Sequence, residues 1–354
     1  MRRDMDPDNS AQLIEQVMQA IRTRTPLRIR GGDSKLALGR VVDAAPLDTR
    51  KHRGIVSYDP TELVITARAG TPLAELNAVL DAAGQMLPCE PPAFGGAATV
   101  GGMVATGLSG PRRPWAGSVR DFVLGCRAIT GNGKHMRFGG EVMKNVAGYD
   151  VSRLLTGSYG CLGLITEVSL KVLPKPRATA HLELETDVAD ALLRLAEWRR
   201  SGLPIAGACY ASNMLHLRLE GGNGSVRAAR ELIGGEEADG TFWTALREFR
   251  LPFFDGRDSL WRISLPPTAP VIDLPGDALL DWGGAQRWLN TSAPADELRR
   301  IAQRHGGYAT AFRSHETNEP FHPLTAPLLR YHRQLKQQLD PHGIINPGRM
   351  YAEI

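Results

Sequence analysis

The first clear hydrophobic pattern lies near the start of the chain. Apolar residues recur there at helical spacing, at positions 13, 14, 17, 18 and 21. This spacing predicts a helix over residues 10–23, with Asn9 or Ser10 available as the N-cap. The alternating residues Leu27 and Ile29 then predict a short strand.

A strand followed by a helix is predicted further along. Apolar and polar residues alternate over residues 63–68, which is typical of a strand. Thr71 and Pro72 are expected to serve as the N-cap and the first residue of a helix that ends before Gly84. Leu73, Leu76 and Leu80 form the apolar stripe of that helix. Short β-type runs at 122–129 and 163–173 complete the pattern of the first half.

The second half of the chain has a different pattern of predicted helices and strands. Helices are predicted near 187–200, 225–233 and 295–305, and strands near 205–211, 214–220, 260–265, 278–282, 286–290 and 307–312. This alternation favours an α+β domain with helices packed on one antiparallel sheet. A helix near 324–339 follows, and the proline- and glycine-containing tail at 340–348 is not helical.

Pro174, Lys175 and Pro176 indicate a domain boundary. We therefore expect a first domain at 1–176, an α+β cap domain at 177–323, and a C-terminal helix and tail at 324–354 that return to the first domain.

Composition narrows the class of protein. Lys and Arg total 42 against 38 Asp and Glu in 354 residues, and they form no long basic run, so nucleic-acid binding is not indicated. No stretch approaches the ~20 apolar residues of a membrane-spanning helix, and the start lacks the apolar core of a signal peptide. We therefore expect a cytoplasmic protein. Its four cysteines are widely spaced, which favours reduced, buried thiols over a disulfide or a metal site.

Three glycine-rich stretches in the first half require a common explanation. They cover residues 30–35, 95–110 and 157–163. A loop that binds pyrophosphate brings backbone N–H groups close to phosphate oxygens, and glycine permits both the approach and the positive φ angles needed. The stretches therefore predict nucleotide-binding loops, although tight turns between strands would also use glycine.

Two common nucleotide motifs do not match. Residues 164–168, after the third stretch, have the pattern of a strand rather than the helix of a nicotinamide Rossmann site. Residues 131–134, Gly-Asn-Gly-Lys, are followed by His135 instead of the Ser or Thr of a Walker A motif.

Several segments, taken in order, resemble the FAD-linked oxidase family with a PCMH-type flavin domain. They are residues 26–39, the Pro88 region, 99–106, 117–121, the segment Lys-Asn-Val-Ala-Gly-Tyr-Asp at 144–150, 157–168 and the Asn-Pro-Gly tail at 346–348. The resemblance implies a PCMH-type, vanillyl-alcohol-oxidase-like two-subdomain FAD-binding domain followed by a smaller α+β cap domain with an antiparallel sheet. The short length and the segment at 281–289 are most similar to FAD-binding subunits of glycolate oxidase complexes. That segment is equally compatible with a hairpin whose two tryptophans pack in the core.

The resemblance also implies which residues contact FAD. Residues 30–35 would form the first pyrophosphate loop, the second stretch would form the second, and the third stretch would line the flavin, with the Ile165 backbone near the adenine. Gly117, Arg120 and Asp121 would lie beside the phosphate or the isoalloxazine, although an ion pair is an alternative role for Arg120. The complete expected set is Arg30, Gly31, Gly32, Asp33, Ser34, Lys35, Pro88, Thr99, Gly101, Gly102, Thr106, Gly117, Arg120, Asp121, Gly157, Ser158, Gly160, Gly163, Ile165 and Asn346.

Two departures from the family pattern change the expected chemistry. Relatives with covalent flavin usually carry a histidine in the first loop, where this sequence has Asp33, so FAD is expected to be non-covalent. Catalytic relatives carry a His-rich H-x-G-D-G-N-x-H element that binds a divalent metal, and residues 177–323 contain no such element. His305, His315, His322 and His332 are therefore interpreted as surface or helix-end residues. Tyr149 and Asp150 could project toward a flavin but are more typical of a turn, so no catalytic base is assigned. No metal site is assigned either.

The resemblance implies a flavin-bearing subunit that works with a catalytic FAD subunit and an iron–sulfur subunit in oxidising glycolate and related 2-hydroxy acids, at the membrane only through those partners. Four unclustered cysteines do not suit an iron–sulfur cluster, so electrons from the flavin would need a partner. Two alternatives stay open: a self-sufficient FAD-dependent 2-hydroxy-acid dehydrogenase, and a non-catalytic assembly module that keeps the flavin.

Overall fold

A computed structural model describes residues 8–140, 150–256, 258–314 and 317–354. The described helices are α1 Ser10–Thr23, α2 Leu73–Ala82, α3 Val100–Thr106, α4 Arg113–Ala116, α5 Val119–Phe122, α6 Val151–Leu155, α7 Val188–Arg200, α8 Asn223–Ile233, α9 Thr241–Arg247, α10 Ala295–Arg304 and α11 Ala326–Leu339. Short 3-10 helices cover Pro252–Asp255 and Trp282–Gly284.

The described strands are β1 Leu27–Arg30, β2 Ala45–Asp48, β3 Ile55–Asp59, β4 Val64–Arg68, β5 Gln85–Met86, β6 Val123–Ile129, β7 His135–Gly139, β8 Leu164–Lys171, β9 Leu173–Pro174, β10 Ala178–Glu185, β11 Ile205–Ala211, β12 Met214–Gly221, β13 Glu236–Glu237, β14 Ser259–Ser264, β15 Asp277–Asp281, β16 Gln286–Thr291 and β17 Tyr308–Arg313.

These elements form two compact units. The first unit contains the described residues of 1–109, 117–174 and 323–354, and the second contains those of 110–116 and 175–322. The domain boundaries derived from the sequence stay a prediction. The structure adds that the short segment 110–116, which includes α4, packs with the second unit.

The first unit is built on an antiparallel sheet in the order β3-β4-β8-β6-β7. Ile65 on β4 and Val168 on β8 are fully buried, and they pack in one core with Leu76 and Leu80 of α2. A second, smaller core joins α1, the parallel pair β1-β2 and the tail residue Ile345. α2 and α3 pack on the face of β4 that carries Ile65, and the intervening residue Thr66 on the opposite face is buried as well.

The second unit is one eight-stranded antiparallel sheet in the order β13-β10-β12-β11-β15-β16-β14-β17. α7 and α8 bury Leu195 and Val226 in one half of the core, and α10 buries Leu298 in the other. The α+β class with antiparallel sheets is therefore confirmed. The hairpin reading of 281–289 is also confirmed, since β15 pairs with β16 and both Trp282 and Trp288 are buried.

Segment 110–116 is anchored within the second unit by polar contacts. The indole Nε1 of Trp282 donates to the carbonyl of Gly110 at 3.0 Å. The Arg112 guanidinium donates to a Glu220 carboxylate oxygen at 2.6 Å, and Glu220 also lies 3.2 Å from Arg218. Because Arg112 and Glu220 are both largely buried, this ion pair is shielded from water.

Several local predictions need correction. Pro72, not Thr71, is the N-cap of α2, and the Thr71 hydroxyl instead bonds to the backbone of Gly54. Residues 100–106 form the helix α3 rather than a loop. The strand β10 and the helix α9 were not predicted. Tyr149 with the rest of 144–149, and His315, lie outside the described residues.

The predicted burial of the four cysteines is confirmed. Cys89, Cys126, Cys161 and Cys209 are all buried and unpaired. Burial raises the pKa of the Cys89 and Cys126 thiols to about 12, so both stay protonated at neutral pH. Among the described helices, none is long and apolar enough to cross a membrane.

Candidate functional site

The first glycine stretch follows β1 and turns sharply against residue 97. A Cβ atom on Gly32 would lie 1.5 Å from the Ala97 carbonyl oxygen, and one on Gly31 would lie 2.7 Å from Thr99 Oγ1. Only glycine permits this approach without displacing the neighbouring backbone. The next residue, Asp33, adopts a positive φ of 54° and forms an ion pair with Arg30 at 2.7 Å.

The second glycine stretch becomes helical because its first residue caps it. The Thr99 side chain accepts a hydrogen bond from the Gly102 N–H at 3.2 Å, as expected of an N-cap threonine. Val100 and Val104 are fully buried in the first-unit core, so tertiary packing stabilises α3 despite its glycines. Gly101 faces Ala69, where a Cβ would come within 2.7 Å of the alanine methyl.

The third glycine stretch lies beside α3. The Gly157 N–H donates to the Val104 carbonyl at 3.0 Å, and the Tyr159 N–H donates to the Ala105 carbonyl at 2.8 Å. Tyr159 and Gly160 both have positive φ, 52° and 73°. The stretch continues directly into β8, which confirms the predicted strand and the departure from a Rossmann pattern.

The C-terminal tail joins the first and third stretches. Asn346 accepts a hydrogen bond from the Ile29 N–H at 2.7 Å and donates from Nδ2 to the Tyr159 carbonyl at 2.8 Å. Its own N–H donates to the Leu27 carbonyl at 2.9 Å, which places the tail alongside β1. One buried amide side chain therefore holds two segments that are far apart in sequence.

Together these segments line a cleft, partly open to solvent, which we call the glycine-lined cavity. The structure brings many of the sequence-predicted residues to its wall: Gly31, Gly32, Asp33, Ser34, Lys35, Thr99, Gly101, Gly102, Thr106, Gly160, Gly163, Ile165 and Asn346.

Other expected residues have different positions. The Arg120 guanidinium donates to the Thr156 carbonyl at 3.2 Å, and the Asp121 carboxylate accepts from Ser118, closing a capping box on α5. The members of the expected set that do not line the cavity are Arg30, Pro88, Gly117, Arg120, Asp121, Gly157 and Ser158. Gly157 and Ser158 shape the third stretch from within, and the assignment of all seven to cofactor binding stays a prediction.

Sequence reasoning missed four cavity residues with polar side chains, Arg28, Thr49, Tyr159 and Arg349. Arg349 donates to the Leu36 carbonyl at 2.9 Å, so it ties the tail to the end of the first loop. Alternation in β1 gives no signal for Arg28, because Arg30, two residues further on, does not line the cavity. Nothing local distinguishes Arg349 from other arginines, because its role depends on where the tail lies.

The electrostatic balance of the cavity favours an anion. Arg28, Lys35 and Arg349 are cationic, and Asp33 is the one acidic side chain among the lining residues described. Burial lowers the pKa of the Arg349 guanidinium, which means that its charge has lost favourable hydration. A bound phosphate group would compensate for this loss.

Comparisons with known proteins agree with this chemistry. Residues 4–139 match a family model described as an FAD binding domain. Over 347 residues the chain is 63% identical to the glycolate oxidase subunit GlcE of Escherichia coli (strain K12), a match that covers 98% of this chain and 99% of that protein.

More distant relatives match only in part. D-lactate dehydrogenase of Archaeoglobus fulgidus is 32% identical over 203 residues, 56% of this chain and 45% of that protein. Glycolate oxidase subunit GlcD of Bacillus subtilis (strain 168) is 32% identical over 161 residues, 45% of this chain and 34% of that protein. A solved structure of alkyldihydroxyacetonephosphate synthase has a TM-score of 0.67 at 18% identity, covering 96% of this chain and 76% of the other, which supports the fold.

FAD is therefore the cofactor of this chain, and the residues present fit it. A flavin dinucleotide carries a diphosphate, which suits the cationic wall, and glycines allow the backbone to approach it closely. Because the near-complete match at 63% identity extends over both units, the chain belongs to the FAD-binding family of the glycolate oxidase subunit GlcE.

Proposed function

We propose that this chain is the FAD-binding subunit of a multi-subunit glycolate oxidase that converts glycolate and related 2-hydroxy acids to 2-oxo acids. The proposal rests on the glycine-lined cavity. The chain that contains this cavity matches a glycolate oxidase subunit over almost its whole length. Bound FAD supplies a hydride acceptor for such an oxidation.

The proposed roles of the residues follow from their chemistry. Backbone groups of Gly31, Gly32 and Gly102 would approach the diphosphate, with the charge of Lys35 and Arg349 beside it. Asn346 and Gly160 would fix the flavin side of the cavity. These groups bind and orient the cofactor, and no proton-transfer residue is assigned.

We further propose that the chain works with a catalytic FAD subunit and an iron–sulfur subunit. Two observations support this proposal. The E. coli relative is named as a subunit, and the four cysteines of this chain are far apart in the sequence. An iron–sulfur cluster commonly needs four clustered thiolates to carry electrons onward. The proposed location is the cytoplasm, at the inner face of the membrane only through these partners.

The division of labour is tested with glycolate and an artificial electron acceptor. The isolated, FAD-loaded chain should reduce the dye slowly or not at all, and the co-expressed assembly should reduce it rapidly at equal flavin concentration. Equal rates per flavin would replace this proposal with a self-sufficient dehydrogenase. Full activity of an assembly that contains a flavin-free variant of this chain would instead identify an assembly module.

The FAD is proposed to be non-covalent, because Asp33 occupies the loop position where covalent relatives have histidine. Its carboxylate is already engaged by Arg30 and lies 3.8 Å from Arg28. Heat or acid denaturation should release all of the FAD into the supernatant. Flavin that stays with the precipitated polypeptide would contradict this attachment.

A further inference from the structure

A buried ion pair lies directly behind the glycine-lined cavity. The Lys336 ammonium and the Asp340 carboxylate are 2.8 Å apart, and their side chains are 10% and 0% exposed. Lys336 is the one buried residue of α11, while the apolar residues of that helix stay partly exposed. Neither residue lines the cavity. A helix that buries its lysine in preference to its leucines has a specific polar reason to do so.

Lys336 is buried because its ammonium group donates to backbone carbonyls of two different segments. The Lys336 Nζ donates to the carbonyl of Cys161 at 2.8 Å and to the carbonyl of Ile345 at 2.6 Å. With Asp340, these partners use all three donors of the ammonium group. Asp340 in turn accepts from the N–H groups of Ile344 at 3.1 Å and Ile345 at 2.8 Å.

Each anchored carbonyl is one residue from the cavity wall. Cys161 follows Gly160, and Ile345 precedes Asn346, and both Gly160 and Asn346 line the cavity. The two wall residues are themselves close, since a Cβ on Gly160 would lie 2.7 Å from Asn346 Nδ2. The lysine therefore sets the separation between the third glycine stretch and the tail.

A second contact fixes the carboxylate from behind. A Cβ on Gly131 would lie 2.0 Å from Asp340 Oδ1, and the Gly131 N–H donates to the Leu339 carbonyl at 2.8 Å. The end of α11 is thus pressed against the turn between β6 and β7. Asp340 has little space to move, so the ion pair is a rigid support.

We infer that Lys336 and Asp340 are positioning residues for FAD: they hold Gly160 and Asn346 at the separation that the cofactor requires. This deepens the proposed function, since it rests on the same cavity. It does not depend on glycolate or on any partner subunit.

The test is an FAD titration of the full-length apoprotein, followed by flavin fluorescence, at a temperature where every variant is folded. Lys336→Met removes all three donors and leaves the Asp340 carboxylate buried without its cation. Asp340→Asn removes the charge at almost constant shape. Both should raise the Kd for FAD by about tenfold or more, because displacement of a wall residue weakens its contacts with the cofactor.

A matched control separates positioning from general stability. Leu80 is fully buried in the same unit and does not line the cavity, so Leu80→Ala should lower the thermal midpoint of the apoprotein by a comparable amount. Its Kd for FAD should stay within about twofold of the parent, since Leu80 is not a partner of Lys336 or Asp340.

Either of two results would overturn the inference. One is an unchanged FAD affinity in Asp340→Asn, which decides the question alone if Lys336→Met does not fold. The other is a loss of affinity in Leu80→Ala equal to that of the ion-pair variants. The visible spectrum of the bound flavin supplies a second readout: the ion-pair variants should shift the flavin bands, and Leu80→Ala should not. Normal FAD binding with no activity in any assembly would count against the proposed function only.

Discussion

Glycine and small hydroxyl residues surround the cavity of the first unit, whereas the interior of the second is closely packed and includes stacked aromatic rings and a buried arginine. In the second unit, Trp288 packs with Phe249, Phe254 and Phe312 at ring separations of 4.8, 5.8 and 4.7 Å. These aromatic rings therefore pack against one another within the protein. The cavity of the first unit instead leaves backbone and cationic groups facing a cofactor.

Buried polar groups differ in the same way. Arg287 of the second unit is 1% exposed and donates to the carbonyls of Gly284, Ala269 and Pro270. Burial lowers its pKa to about 10, still well above neutral pH, so the charge persists and is used for structure. Arg349 in the first unit is also desolvated and also donates to a backbone carbonyl, but it lines the cavity. The comparison indicates that side chains of the second unit pack against one another, whereas groups at the cavity of the first unit are placed to contact FAD.

The distribution of tryptophan makes the comparison measurable. All six tryptophans, Trp115, Trp198, Trp243, Trp261, Trp282 and Trp288, belong to the second unit. Intrinsic tryptophan fluorescence therefore reports unfolding of the second unit, and bound flavin reports the first.

The largest effect is expected from Gly32→Ala. The added methyl would lie 1.5 Å from the Ala97 carbonyl oxygen, so one of the two loops must move and take its backbone donors away from the cofactor. FAD affinity should fall by about a thousandfold, the loss of several charge-assisted hydrogen bonds, as measured by flavin titration. Tryptophan-detected unfolding should not change.

Gly224→Ala is the matched control for this substitution. Gly224 lies in α8 of the second unit, and a Cβ there would meet nothing within 4 Å. It should leave FAD binding unaltered. If the Gly32→Ala protein kept its full flavin content, the first loop would not be part of the FAD site.

The next largest effect is expected in the second unit, where tryptophan fluorescence should change and FAD binding should not. Arg112→Ala would leave the buried Glu220 carboxylate with Arg218 as its neighbour, and should cost about 3 kcal/mol in the unfolding free energy of the second unit. Urea unfolding followed by tryptophan fluorescence measures this loss, and FAD affinity should be kept. Arg194→Ala, which breaks an exposed pair with Asp190, should cost only ~0.3–0.5 kcal/mol. Comparable losses in both variants would show that burial adds nothing to the pair.

A smaller effect is expected inside the cavity from Gly102→Ala. Its Cβ would meet only Thr99 Oγ1, at 3.2 Å, a contact that a small shift of the side chain relieves. FAD affinity should fall by about tenfold at most, far less than for Gly32→Ala. If the two alanine variants lost affinity equally, backbone overlap would not be the reason that glycine is required.

The smallest effect is a pH dependence that the units share. Burial lowers the pKa of His52, His135 and His332 in the first unit, and of His181, His216 and His322 in the second. The unfolded chain then binds more protons than the folded chain as pH falls below the usual histidine value of 6.5. Thermal midpoints detected by flavin and by tryptophan should therefore both decrease from pH 7 to pH 5.

His216→Gln distinguishes the units in that experiment. The His216 ring stacks on Phe242 at 3.8 Å, and Nδ1 lies 3.1 Å from a Glu183 oxygen. Its removal should flatten the pH dependence of the tryptophan signal and leave that of the flavin signal as it was. An unchanged tryptophan signal would assign the pH dependence to other groups.

Local periodicity determined most elements of both units. The helix α1 and the strand β11 lie within the residues predicted for them, and the third stretch leads into a strand as its pattern indicates. These predictions succeed because the alternation of buried and exposed positions is itself a local property. The strand β10 carries the same signal, with Ala180, Leu182 and Leu184 buried in alternation, and the sequence therefore contained enough to predict it.

Other features depended on distant parts of the chain. Glycines at 101 and 102 argue locally against a helix, yet burial of Val100 and Val104 against the sheet outweighs that preference and produces α3. Lys336 has the pattern of an ordinary surface lysine until α11 brings it to the carbonyl of Cys161.

For the site, the sequence by itself determined which loops have glycine at positions of close backbone approach, and so indicated the class of ligand. Only the tertiary structure decided that Arg28, Tyr159 and Arg349 belong to the cavity wall. The physical reason is distance along the chain: Asn346 bonds to Ile29 across 317 positions, and no local pattern records a contact of that span.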